Sequence, residues 1–206
     1  MSIIDSAVPH GITHEAENFN ARSISPHPCG RIDRNSLCGN SMGVTNGFLR
    51  LTSETFAELR DDAAAFERRC RDYDQPDYLD MDKAGWELLF VLNPSSIEYD
   101  NRNAETPYPG IAAVLGGGET VHEAINLGYG PAQLVADQAI STALTEITEI
   151  TLEEMTTVAL ESELLPEVLM CDVDTDMIKE YHWPYLQSLR DFLTEAKQRN
   201  MAVLRY

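Results

Sequence analysis

Residues 44–70 read VTNGFLRLTSETFAELRDDAAAFERRC, and the two halves of that run obey different periodicities. Val44, Phe48 and Leu51 give Val44–Leu51 the pattern of a strand, with Gly47 placed for a bulge. Thr52 or Ser53 then supplies a helix cap, and Glu54 an acid in the first turn. Phe56, Leu59, Ala63, Phe66 and Cys70 recur at helical spacing, which predicts one helix over Ser53–Arg71 with a single buried face. A strand that runs straight into an amphipathic helix points to a mixed α/β fold.

Working outward, Tyr78–Met81 reads as a short extended piece, and Asp82 as the N-cap of a helix over Lys83–Leu92. Trp86, Leu89, Phe90 and Asn93 share one side of that helix, and Leu88–Leu92 is apolar almost all round, so deep burial is expected. Asn93-Pro94 ends it, and a polar loop over residues 94–109 follows, carrying Tyr99 and Tyr108. Ile111–Leu115 is a short apolar segment running into three glycines, and Ile125–Tyr129 is strand-like. Asp137 is expected to cap a helix to about Glu149, buried through Ile140, Leu144 and Ile147. Thr151 opens a helical stretch over Leu152–Leu165, with Met155, Val158 and Leu165 as its apolar side and Pro166 as its interruption. Asp174 reads as the cap of a single turn, Asp176–Tyr181. Pro184 suits the first position of a last helix with the stripe Leu186, Leu189, Phe192, Leu193 and Ala196, and Ala202–Tyr206 reads as a final strand.

Ahead of this body, residues 1–41 hold Pro9, Pro26 and Pro28 and show no sustained periodicity, which predicts a flexible N-terminal extension followed by a domain over 42–206. Met42 stands where the compact pattern begins and reads as a second start. The extension is nearly neutral: Asp5, Glu15, Glu17 and Asp33 stand against Arg22, Arg31 and Arg34. The body therefore carries −18 of the formal net charge of −19.

That charge excludes some partners and favours others. With 34 Asp and Glu against 15 Lys and Arg, the surface repels phosphate backbones and anionic membranes, so neither nucleic acid nor a membrane is expected as a partner. A basic protein partner suits it. No apolar run reaches membrane-spanning length, and the N-terminus lacks a signal-peptide pattern, which predicts a soluble, cytoplasmic protein. Cys29, Cys38, Cys70 and Cys171 form no CxxC pair and read as free thiols. His14, His27, Cys29 and Cys38 have the wrong spacing for a zinc knuckle, and no metal or cofactor is expected.

Several short motifs invite a functional reading. Gly116-Gly117-Gly118 is followed by no Gly-Lys-Ser/Thr, so a tight turn needing positive φ is preferred to a phosphate loop. Gly128-Tyr129-Gly130-Pro131 reads as a rigid turn, or as a pocket wall that presents Tyr129. Asp172, Asp174 and Asp176 resemble the start of a calcium loop, but Met177 and Trp183 occupy the positions that need Gly and Glu, leaving solvated capping acids as the better account. Asp80, Asp82, Lys83 and Trp86 form the best candidate for a ligand-facing patch, although a capped, half-buried helix needs the same residues. His182, between Tyr181 and Trp183, is the one body histidine in a chemically rich setting. No G-x-S-x-G or H-E-x-x-H motif appears.

Taken in order, these blocks resemble the YfbM-like family, a bacterial domain of unknown function (DUF1877). The resemblance begins at Met42-Gly43-Val44 and runs through Asn46–Leu51 and Tyr78-Leu79-Asp80-Met81-Asp82-Lys83 with Trp86. It continues through Leu115-Gly116-Gly117, Gly128–Pro131, Asp174–Trp183 and the final helix into Ala202–Tyr206. Members often carry a histidine shortly after the tryptophan, where this chain has Leu88-Leu89, and Glu149–Cys171 is longer than usual. The resemblance implies a single α/β domain of three α/β/α layers around a small mixed sheet, and no established activity.

Two functions are expected to compete. One is a binding protein, of immunity type in its concrete form, that neutralises a basic partner through electrostatic steering. The other is a small-molecule enzyme or sensor with a pocket drawn from Asp80, Asp82, Lys83, Trp86, Tyr129 and His182.

Overall fold

A computed structural model describes residues 46–97 and 106–206. The extension read over residues 1–41, with His14, His27, Cys29 and Cys38, lies outside the described residues, as does Tyr99. Five strands, β1 (Gly47–Thr52), β2 (Tyr78–Asp80), β3 (Glu119–Val121), β4 (Ala132–Leu134) and β5 (Met201–Arg205), form one sheet in the order β2-β1-β5-β4-β3. Every pairing in it is antiparallel, so the expected mixed sheet is corrected to an antiparallel one. The long ladder is β1 with β5, from Phe48 opposite Arg205 to Thr52 opposite Met201.

Alternation along these two strands builds the layers. Phe48 and Val203 point to one face, where they join the larger core. Leu49, Leu51 and Leu204 point to the other, against Phe66 and Cys70. The second face is covered by α1 (Ser53–Asp61) and α2 (Ala63–Cys70). The single helix expected here is two, because Asp62 leaves the helical region at φ −123° and turns its side chain to accept from the Ala65 N–H at 2.9 Å. A residue that caps the next helix cannot continue the last one.

The first face carries α3 (Ala84–Val91), α4 (Pro109–Gly116), α5 (Asp137–Glu149), α6 (Leu152–Leu160), α7 (Leu165–Leu169), α8 (Thr175–Met177) and α9 (Trp183–Gln198). The stripe read from the last helix is fully buried: Leu186, Leu189, Phe192, Leu193 and Ala196 all face the core. Thr151 and Glu154 close a reciprocal capping box at the start of α6. The short apolar segment Ile111–Leu115 lies within a helix, begun by Pro109 in the first turn. Gly110 lets α4 cross α5 closely, since a Cβ there would stand 2.4 Å from the Ala143 backbone nitrogen. Gly118 adopts φ +137°, the positive-φ turn expected of the glycine run.

Ile125–Tyr129 is not a strand, and β3 and β4 flank it instead. Ile125 and Leu127 pack on the smaller core as anchors of a connection. Their apolarity reports burial, not pairing.

Arg50 ties β1 to α9. Its side chain is buried against the Phe192 ring, with the guanidinium carbon 4.5 Å from the centroid. It reaches Glu195 Oε2 at 2.6 Å and Asp77 Oδ1 at 3.3 Å. Arg199 holds the other oxygen of Glu195 at 2.8 Å. The hydrogen bonds from Arg50 and Arg199 hold the Glu195 carboxyl below its usual range.

Candidate functional site

The best-built cluster lies where the end of β2 meets α3 and the last helical run. Backbone pairing of Asn46 with Met81 and Asp82 carries the sheet hydrogen bonding past the end of β2. Asp82 then turns through φ +47°, helped by its N–H donating to Asp80 Oδ1 at 2.8 Å. The helix cap is Lys83 rather than Asp82, and it makes no side-chain capping bond. The Asp82 carboxylate is committed elsewhere: its Oδ2 accepts from the Tyr181 hydroxyl at 3.2 Å.

Tyr181 comes from a widened, π-helical turn over Ile178–His182, between α8 and α9. Asp174 starts this run by accepting from the Met177 N–H at 2.8 Å, which gives one of the three aspartates its expected capping role. One turn of π-helix shifts the side-chain register, and here neighbouring residues reach α3 and the turn just before it. Tyr181 reaches Asp82, and His182 Nε2 donates to Glu87 Oε2 at 2.9 Å. His182 is fully buried, and among the described residues its Nδ1 finds no partner. The Tyr181 ring packs edge-on against both His182 and Tyr185, at 5.0 and 5.1 Å.

Burial first, and then Asp82, push the hydroxyls of Tyr181 and Tyr185 upward. Glu87 adds to the effect at Tyr181 and Asp80 at Tyr185. Both phenols therefore stay protonated and act as hydrogen-bond donors. The cluster offers carboxylate acceptors and phenol donors at its half-exposed rim, over a buried Glu87–His182 pair that locks α3 to the π turn.

The candidate residues divide on this frame. Asp80, Asp82 and His182 lie in or beside the cluster. Lys83 is exposed at the helix start, and Trp86 packs edge-on against Phe90 at 4.6 Å on the half-buried side of α3. Tyr129 is not with them. It sits in the connection leading into β4, three strands from β2 in the sheet order, a lateral separation of about 14 Å.

Glu87, Tyr181 and Tyr185 were missed. Glu87 is a lone acid inside an otherwise apolar helix, which was the available signal. Tyr181 and Tyr185 stand one helical turn apart on either side of His182.

A second feature is a shoulder formed by α6, α7 and the segment up to α8. Residues 149–176 carry nine carboxylates, all exposed, and no Lys or Arg. Among the described residues, none of the nine is ion-paired with a basic side chain. Val158, expected on the buried side of its helix, is 39% exposed, because Met155 and Ala159 set the inward face. Among the described residues, no group of three or more His, Cys, Asp or Glu is placed to hold a metal ion, and no helix is long and apolar enough to cross a membrane.

Comparison with known proteins agrees with the architecture. A crystal structure of a protein of unknown function, YfbM from Escherichia coli, is similar with a TM-score of 0.51 and 12% identity, covering 79% of this chain and 98% of that one. At that identity the likeness speaks for the fold alone. No curated protein matches the chain. The family model described as "Domain of unknown function (DUF1877)" matches residues 42–206. The expected family is thus found over residues 42–206, and the chain belongs to the DUF1877 family.

Proposed function

We propose that this is an interaction protein whose body, residues 42–206, binds a basic protein partner, as an immunity-type protein does when it neutralises a cationic toxin or nuclease. Residues 1–41 are an extension that this binding does not need. One observation carries the reading: from Arg102 to Lys179 the chain holds 14 Asp and Glu and not one Lys or Arg between them. A run that long with a single sign of charge projects a negative field, which speeds encounter with a cationic surface.

The test is capture from the source cell at low salt, identification of the bound chain, and a pairwise Kd measured against salt. The reading expects a basic partner whose affinity falls steeply as salt rises. Capture of only neutral or acidic chains, or an affinity flat in salt, would overturn it.

A second reading is supported by the convergence of Asp82, Tyr181, Glu87 and His182 at one junction. Here the rim of that cluster, with Asp80, Lys83 and Trp86, recognises a small molecule. Thermal-shift screening of the wild type and Lys83→Ala against metabolites tests it, and the expected outcome is a ligand whose stabilisation is lost in the variant. Stabilisation by no compound would remove this reading.

A further inference from the structure

We propose that Arg205 anchors a separate binding site, which takes the carboxylate of a small organic acid with an apolar body. The site lies on the face of the sheet that carries α3 and α4. It depends neither on the basic partner nor on the cluster at the π turn.

Strand register places the guanidinium. Arg205 stands opposite Phe48 of β1 and Gln133 of β4. Alternation puts its side chain on the same face as Phe48 and Val203, which join the larger core. Contacts around that position close a ring. Asn46 lies two residues before Phe48 on the same face, and Gly85 of α3 packs on it: a Cβ at Gly85 would stand 2.8 Å from the Asn46 Cβ. One helical turn along α3, Leu89 Cδ1 is 3.9 Å from where a Gly116 Cβ would be. Gly118 then lies against Gln133, with its Cβ position 2.7 Å from the Gln133 Cβ. The Gln133 amide is already committed, donating to Thr120 Oγ1 at 3.1 Å and to the Pro131 carbonyl at 3.3 Å.

Arg205 is not committed. Among the described residues it has no carboxylate partner, and its Nε is sealed from solvent without an acceptor. Arg50, on the same face of β1, shows the contrast, because its terminal nitrogens hold Asp77 and Glu195. Burial alone pushes Arg205 below the usual arginine range, with no acid beside it to offset the cost, and the group stays charged. A snorkelling arginine keeps its head in water. This one is half-buried with an idle donor, in a chain of net charge −19.

Chemistry selects the ligand. A guanidinium fork donates two parallel hydrogen bonds to a carboxylate or a phosphate. The negative body repels a dianion more strongly than a monoanion, which favours the carboxylate. Leu89 is half-buried and gives the body of the acid an apolar wall.

The experiment follows the Arg205 Nε–H signal of the full chain, isotope-labelled for NMR, during titration with hexanoate, acetate and inorganic phosphate at constant ionic strength. Both carboxylates are expected to give a saturable shift, with hexanoate at least about threefold tighter because its chain meets Leu89. Arg205→Met should weaken hexanoate by at least about tenfold, and Arg205→Lys by nearly as much, since it keeps the charge and loses the fork. Arg68→Met, at an exposed position of α2, should leave binding unchanged. Leu89→Ala should remove the advantage of hexanoate over acetate.

A shift that never saturates would overturn the site, as would hexanoate binding that survives Arg205→Met. Phosphate binding with both carboxylates silent would overturn the ligand class. The signal of the unmodified chain decides between these outcomes even where a variant fails to fold.

Discussion

Carboxylates do opposite work in two regions of this molecule. In the packed layer, Glu87 accepts from His182, Glu195 is held between Arg50 and Arg199, and Glu146 accepts from the Gly110 and Ile111 N–H groups at 2.9 and 2.8 Å. On the α6–α7 shoulder, by contrast, the acids are exposed and, among the described residues, none is ion-paired, although Glu154 and Asp174 also serve as helix caps. A net charge of −19 therefore does not describe a uniform coat. Part of it is spent on architecture, where the carboxylate meets hydrogen-bond donors from another element. The rest is left as an outward field available to a partner.

Substitutions can separate the two kinds of acid, and the largest effect is expected at the buried pair. His182→Ala leaves a cavity and strands the Glu87 carboxylate, and should cost about 3–5 kcal/mol in urea unfolding. The double variant Glu87→Leu with His182→Leu should recover most of that loss, because a buried hydrogen-bonded polar pair is replaceable by packed apolar groups of similar size. If the single and double variants lose equally, the pair is not what holds α3 to the π turn.

Glu146→Ala should come next, at about 1–3 kcal/mol by the same measurement, since it leaves the first N–H groups of α4 without their acceptor. Glu146→Gln keeps one acceptor oxygen and should lose less.

At Glu195 the effect appears as a pH dependence. Its folded pKa lies below the ordinary Glu value of about 4.3. The stability it adds is then complete above that value and is lost as pH falls through the folded pKa. Glu195→Gln should flatten the acid limb of the stability–pH curve, read from urea melts between about pH 5 and pH 2. An unchanged acid limb would mean that the Arg50 and Arg199 contacts do not persist in solution.

The smallest effect belongs to the shoulder. Glu161→Gln with Glu163→Gln should change stability by no more than about 0.5 kcal/mol in low salt, in either direction. A loss comparable to that at Glu146 would show that these acids also serve the fold, and the contrast between the regions would collapse.

Sequence reading succeeded where a pattern repeats and failed where the deciding contact is distant. The stripe of α9 was legible because five apolar residues at helical spacing have only one common face. Asp174 and Thr151 were legible as caps because a cap is a local event, settled within four residues. The strands β3 and β4 were not legible. Each is three residues long, Glu119 and Thr120 are exposed, and such a strand is created by its neighbours rather than by its own alternation.

The candidate cluster shows the same division. Asp80, Asp82 and His182 stood out as chemically rich positions, but the partner of His182 lies 95 residues away. No periodicity connects a lone glutamate in α3 with a histidine ahead of α9. Two glycines flanking Tyr129 mark a turn without saying where in the sheet that turn falls.

One consequence follows from the strand order. Of the five strands, β5 is farthest along the chain, yet it lies in the middle of the sheet, paired with β1 on one side and β4 on the other. Until it arrives, β1–β2 and β3–β4 are separate two-stranded ribbons, each too small to persist alone in water. The closing step joins residues from 149 to 157 positions apart in the β1–β5 ladder, the kind of long-range pairing that slows folding and leaves sheet edges open while it waits. Cutting the chain before Met201 would therefore do more than trim an end: it would split the sheet into unconnected hairpins and expose both to aggregation.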